Sequence, residues 1–289
     1  MDCHELGPRY TWQEAVAAGL TRAQLRDDGI RITRGAYVSR AVPLTLRSAC
    51  LSVVPVLPEA ATFSHLTAAA LLEAPVRVAW PLTVAVPPGV YRPRRRRVRV
   101  HVRDLLPEDA VRIQGLPVTS GQQTWLDLAG VLPPGELVAV GDSLFRAGHL
   151  DAGSLRSRLA RAGGARGIVC ARELAGILTP HAASRPESLI RFALISSDLP
   201  DPGVQVPIHD RWGRVVAHAD LGYPEWKIAI EYEGRQHAEG EQFGRDIDRY
   251  SLMAAGGWLV LRFAGVHLGR QGAVVDRVAG ALRSRGACW

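Results

Sequence analysis

Apolar positions along this chain recur first at helical spacing and then at every second residue, and each switch marks an element. Thr11-Trp-Gln-Glu14 and Thr21-Arg-Ala-Gln24 both read as capping boxes opening short helices, with Gly19-Leu20 as the break between them. Gly29 to Ser39 alternates about Gly35 as a β-hairpin does. The pattern then predicts a helix from Pro43 to about Val56 and another over Phe63–Leu72, capped by Ser64. Pro81–Pro87 and Val98–Arg103 alternate as strands, and the apolar stretch Val111–Thr119 follows. Helices are expected from Ser120 through Ala129, after Pro133, over Asp151–Ala162 and over Gly167–Leu178, with a boundary at Thr179-Pro180.

Past that boundary, Ser184-Arg-Pro-Glu187 predicts the start of a helix running through Ile195. Ser184 is its N-cap, Pro186 and Glu187 lie in the first turn, and Glu187 completes a capping box. Val215–Leu221 and Trp226–Glu233 then flank the turn Gly222-Tyr-Pro-Glu225. An amphipathic helix over Gln242–Ala255 closes at Gly256-Gly257, and Trp258–Phe263 is a strand. The hairpin carries Asp220, Glu231 and Glu233. Residues two apart share a strand face, so both Glu side chains point one way with Ala229 and Lys227, and Ile228, Ile230 and Tyr232 the other. Ionised carboxylates on one face repel and are costly to bury unless neutralised. A divalent cation is the simplest neutraliser; a solvated edge strand, on which Glu discourages pairing, is the alternative.

That order of elements and acids resembles the PD-(D/E)xK nuclease superfamily. It is closer still to the domain related to the very-short-patch-repair endonuclease, over roughly Ser184 to Leu282. The resemblance implies a restriction-endonuclease-like αβββαβ domain that hydrolyses phosphodiesters. It implies that Glu187, Asp220 and Glu231, with the backbone carbonyl of Tyr232, hold one or two Mg²⁺ (or Mn²⁺) ions. It also places Arg245, Asp246 and Arg249 on a polar helix, with Arg245 and Arg249 clamping phosphate. Glu233 stands where the superfamily has its lysine. Glu233, His237 or Lys227, the only lysine in the chain, is then the candidate for orienting the attacking water.

Residues 11–40 order themselves as helix, turn, helix and basic hairpin, which is a winged-helix layout. In it Arg22 and Arg26 would lie in a major groove and Arg31, Arg34 and Arg40 on phosphates; winged helices also dock proteins. The segment, above all Arg34-Gly-Ala-Tyr-Val38, resembles the N-terminal domain of AbiEi-type antitoxins, and the resemblance continues to about residue 150. His65 is a frequent feature there, and a buried helix-start histidine is its plainer explanation. Arg92-Pro-Arg-Arg-Arg-Arg97 is the most basic run. Arg94, Arg95, Arg96 and Arg97 would contact phosphate without reading sequence, or form a solvated loop.

Charge and cysteine usage narrow the picture further. The net charge of +7 lies wholly before Ser184, since basic and acidic residues balance beyond it. No run approaches a membrane span, the start is no signal peptide, and Cys3, Cys50, Cys170 and Cys288 form no CxxC pair. A cytoplasmic protein with free thiols is expected. The expected fold class is mixed α+β: a winged helix over 1–42, an α+β domain over 43–150, a helical linker over 151–182 and the nuclease-like domain over 183–289. The expected function is a metal-dependent DNA endonuclease in defence or repair, with a homodimer able to cut both strands. The alternatives are a catalytically idle DNA-binding regulator and an interaction module with a toxin or defence-system partner.

Overall fold

The computed structural model of this mixed α+β protein describes residues 6–77, 80–210, 212–234 and 249–289. The chain folds as two units: Met1–Val131 with His149–Ala171, and Leu132–Gly148 with Arg172–Trp289.

The first unit opens with β1 (Arg9–Thr11), α1 (Trp12–Ala17), α2 (Arg22–Asp28), β2 (Gly29–Thr33) and β3 (Ala36–Ser39). Both expected capping boxes form, Thr11 with Glu14 and Thr21 with Gln24. The strands make an antiparallel sheet in the order β1-β3-β2. Tyr10, Ala15, Leu20 and Leu25 close its core. Gly29 is obligatory there, because a Cβ would stand 2.7 Å from the Leu25 carbonyl oxygen.

The next helix, α3 (Leu46–Val53), starts later than Pro43 because Thr45 caps it. β4 (Thr62–Phe63), α4 (His65–Leu71), β5 (Leu82–Val86), β6 (Val98–Val102), β7 (Ala110–Ile113) and β8 (Leu116–Thr119) follow. Val111–Thr119 is thus a hairpin, and its turn residues Gln114 and Gly115 both have positive φ (48° and 86°), as a two-residue turn of the tightest kind needs. These strands form a sheet ordered β6-β5-β4-β8-β7. Ser64 occupies the cap position of α4 without capping it; its hydroxyl instead meets His65 Nδ1 at 3.0 Å. Then come α5 (Gly121–Ala129), which buries Trp125 completely, and α6 (Pro134–Arg146).

The boundaries between units differ from those expected. α7 (Ala152–Ala160), capped by Asp151, belongs to the first unit and is no linker. Its end is held by Asp109, fully buried, which pairs with Arg158 at 3.4 Å and Arg161 at 2.9 Å. The helix α6 instead belongs to the second unit, where it packs on α9 (Arg185–Ile195). There Asp142, fully buried, takes Arg191 at 2.8 Å, the Ser188 hydroxyl at 2.8 Å and the Thr179 amide at 2.8 Å. Such a set of donors offsets the cost of taking a carboxylate out of water. Between the two runs lies α8 (Ile168–Ala175).

The rest of the second unit is β9 (Gly203–His209), β10 (Val215–Tyr223), β11 (Ile228–Glu233), α10 (described over 249–255), β12 (Leu259–Ala264), α11 (Gly265–Leu268) and α12 (Gln271–Ser284). From α9 to β12 this is the expected αβββαβ order. The sheet runs β12-β11-β10-β9, antiparallel except for the parallel β11–β12 pair. Ile228 and Ile230 pack with Ile190 and Leu194 of α9 and Val278 and Leu282 of α12. Ala229 packs with Met253 and Tyr250 of α10. The alternation expected for β11 therefore holds, with one helix layer on each face.

Candidate active site

β10 and β11 pair through Leu221↔Ile230. One step further along that register Asp220 stands opposite Glu231, on the face away from Ile230. Asp220 accepts the Tyr232 amide at 2.8 Å, so the strands part around a carboxylate rather than a backbone bond. Across β9, one step from Ala219↔Val206, Asp220 faces Gln205, whose φ of 50° is left-handed. For a side-chain-bearing residue in a strand that conformation costs about 1 kcal/mol or more. Gln205 Nε2 donates to Glu187 Oε2 at 3.3 Å.

Glu187 enters from the first turn of α9. Ser184 caps that helix, but the expected capping box is only half made: the Glu187 carboxylate takes the Ser184 hydroxyl and the Ala183 amide, both at 2.8 Å, and not the Ser184 amide. The carboxylate is thereby drawn outward from the helix end and toward the sheet.

Burial raises the carboxyl pKa of Glu187, and the nearby Asp220 charge adds to it. Burial likewise raises Asp220 against the Tyr232 amide. Burial pushes Glu231 up to about 7, opposed by Arg249 and reinforced by Asp220 and Glu233. Arg249 of α10 pairs with Glu231 Oε2 at 3.1 Å, while Glu231 Oε1 is buried without a hydrogen-bond partner among the described residues. Acids raised by burial, two of them further by the Asp220 charge, form the kind of cluster found at metal and catalytic centres. Among the described residues, however, no three His, Cys, Asp or Glu side chains converge as a ready-made metal shell. The acids come together as neighbours, Glu187 beside Asp220 and Asp220 beside Glu231.

Glu233 is placed differently. It accepts the Tyr250 hydroxyl at 2.6 Å and is clasped by Arg262. Burial raises its pKa, but these hydrogen bonds and the Arg262 and Arg249 charges outweigh that and hold it below the usual carboxylate range. A carboxylate so engaged is a poor proton acceptor. Lys227 is exposed in left-handed conformation at the far end of β11, its Nζ on the Gly256 carbonyl at 3.0 Å. It lies four residue steps along the strand from Glu231, about 13 Å, so it does not serve this site. His237, Arg245 and Asp246 lie outside the described residues.

In the first unit, Arg22, Arg26, Arg31 and Arg34 are all exposed. The arginine run is not a free loop. Arg95 donates to the Arg34 carbonyl, Arg97 to the Arg31 carbonyl at 3.4 Å, and the Thr33 hydroxyl to the Arg96 carbonyl at 2.8 Å. Arg94 and Arg96 are exposed beside them. His65 is the buried first residue of α4, stacked on His101 at 3.9 Å with Asp127 at 3.6 Å, and burial lowers its pKa to about 4. Its plainer explanation holds. Gln205 escaped sequence reasoning entirely, since nothing around it in the sequence marks a left-handed residue.

No family model matches this chain. Two Mycobacterium tuberculosis proteins are similar to it: "Uncharacterized protein MT2308" of strain CDC 1551 / Oshkosh and "Uncharacterized protein Rv2248" of strain ATCC 25618 / H37Rv. Each is 30% identical over 151 residues, which is 52% of this chain and 55% of the relative. The chain thus spans about half the length of the curated relatives it matches. Among solved structures, the crystal structure of the RV2827C protein from Mycobacterium tuberculosis aligns with 63% of this chain and 74% of its own, at 16% identity and a TM-score of 0.42. No helix among the described residues is long and apolar enough to cross a membrane.

Proposed function

We propose that the protein is a metal-dependent endonuclease that hydrolyses phosphodiester bonds in DNA, with the acid cluster of the second unit as its centre. The observation that carries this reading is half-buried Asp220 between buried Glu231 and buried Glu187, with Glu231 Oε1 left without a partner among the described residues. The donor set is oxygen only, which suits Mg²⁺ or Mn²⁺. Glu187, Asp220, Glu231 and the Tyr232 carbonyl would hold the ion, and because the three acids meet only pairwise among the described residues they would have to draw together around it. When bound, it would supply Lewis-acid polarisation of the phosphate and acidify a water.

The chain's own residues divide the remaining work. Arg249 neutralises Glu231 until a cation arrives and then offers its guanidinium to phosphate. Arg245 joins it from the same stretch of chain. Glu233 anchors Tyr250 and Arg262, which leaves His237 as the residue to orient the water. The first unit contributes the positive charge that draws in DNA. With Cys50, Cys170 and Cys288 outside any disulfide, the protein suits a reducing cytoplasm, in a defence or repair setting.

The second reading, a DNA-binding regulator with an idle nuclease-like unit and a toxin or defence-system partner, draws support from Arg249 standing where a cation would act. Titrating Mn²⁺ into wild type and Asp220→Asn by calorimetry, then incubating both with supercoiled, mismatched and single-stranded DNA, separates the two. Binding and cleavage that are both lost in Asp220→Asn support the nuclease. A wild type that binds no Mn²⁺ overturns it and leaves the regulator.

A further inference from the structure

One group of the first unit's arginines is gathered rather than scattered. They line three adjoining hollows. One, of about 860 Å³, lies between α1, the β2–β3 turn and the loop at Tyr91, and holds Trp12, Arg22, Arg31, Tyr37, Tyr91 and Arg95. A second, of about 1060 Å³, shares Tyr91, Pro93 and Arg95 with it and follows the arginine run. A third, of about 530 Å³, shares Trp12, Arg22, Arg31 and Tyr37 and continues to Arg26, Arg40 and Arg97. Every charged residue lining the three is an arginine.

Aromatic rings stand among these charges. Tyr91 is 76% exposed at the lip shared by two hollows, a large solvated ring with no packing role in the fold. Trp12 lies under the Arg22 guanidinium at 5.9 Å from its ring centre. An uninterrupted basic track with interleaved ring faces is the chemistry of single-stranded nucleic acid: arginines follow the phosphates while bases stack on the rings.

Duplex readers push a convex helix or ribbon into a groove. Here α2 has only seven residues and ends in Asp27-Asp28. Its Arg22 and Arg26 face the hollows, and the β2–β3 turn is fastened to the arginine run through Thr33, Arg95 and Arg97. We propose that this basic, aromatic-lined track of the first unit binds single-stranded nucleic acid, with Tyr91 and Trp12 as stacking platforms and Arg22, Arg31 and Arg95 on the phosphates. It deepens the proposal that the first unit supplies DNA affinity, and it does not depend on the second unit being catalytic.

The test uses the full chain in EDTA. Fluorescence anisotropy follows three probes of about twelve nucleotides, in the size range such tracks cover: oligothymidylate, the corresponding dA·dT duplex, and an abasic strand with the same number of phosphates. Oligothymidylate is expected to bind about tenfold tighter than either other probe, and Tyr91→Ala to weaken it about fivefold or more, while Tyr91→Phe restores it. Arg31→Gln is expected to reduce the salt dependence by about 0.7 in log–log slope, the value for one single-strand phosphate contact. Circular dichroism and melting of Tyr91→Ala should match wild type, since the ring is exposed. Duplex bound as tightly as the single strand, or single-strand binding unmoved by Tyr91→Ala, overturns the track but leaves a DNA-binding first unit. Failure to bind any of the three probes overturns both.

Discussion

The Tyr250 hydroxyl donates to the Glu233 carboxylate at 2.6 Å, across the gap between α10 and the end of β11. With Arg262 on the same oxygen, Glu233 is a fixed anion in the place of a mobile base. Glu233→Gln is therefore expected to leave Mn²⁺ affinity and cleavage within about threefold of wild type while costing about 1 kcal/mol of stability for the weakened hydrogen bonds. Parallel calorimetry and chemical denaturation would check it; loss of cleavage with intact stability would make Glu233 the base after all.

Glu231 carries the opposite electrostatics. Its folded pKa of about 7 lies above the unfolded value, so the folded state holds its proton longer. Without metal, stability should fall as pH rises from about 4.5 to about 7, because the unfolded chain releases that proton first. Glu231→Gln should remove this fall and be more stable than wild type at pH 8 in EDTA, by roughly 1–3 kcal/mol. Denaturation curves across this pH range decide it; a variant no more stable than wild type at pH 8 would mean that Arg249 compensates the buried charge fully.

His65 has its proton balance reversed. Burial holds it near 4, below the unfolded value, so it contributes stability above about 6.5 that is lost as pH falls toward about 4. The expected loss is roughly 3 kcal/mol, confined to the first unit. Histidine NMR of the C2 protons gives the folded pKa directly, and an ordinary value near 6.5 would refute the prediction.

The Asp142–Arg191 pair is a different case, since both side chains are buried. Asp142→Ala strands the guanidinium and the Thr179 amide, and should cost about 3–5 kcal/mol in the second unit. Differential scanning calorimetry should show the second unit melting early while the first is unchanged. A loss below 1 kcal/mol would mean water replaces the carboxylate.

Local chemistry was legible in the sequence wherever neighbours decide the outcome. Thr11 with Glu14 and Thr21 with Gln24 sit three residues apart, and both capping boxes form. The two-faced pattern of β11 and the helix–strand order from Ser184 follow from period alone. What escaped depends on partners far along the chain. Asp142 and Arg191 are 49 residues apart, and nothing local assigns α6 to its unit. The left-handed Gln205 and the clasp of Arg262 on Glu233, 29 residues away, have no signature near them either. Residue type alone makes Lys227 a catalytic substitute, but four residue steps along the strand set it at the opposite end from Glu231.

The order in which the two units use the chain has a consequence for how they can be taken apart. The first unit ends, hands the chain to the second for 132–148, and takes it back for 149–171. Neither unit is a contiguous cassette. A fragment stopping near 131 lacks α7 and leaves the buried Asp109 without its arginines, while one starting near 183 lacks α6 and leaves Arg191 without Asp142. A ribosome must have released residue 171 before the first unit is complete, by which point a helix of the second is already made. A single cut or splice therefore cannot exchange one unit for a foreign one without breaking the other.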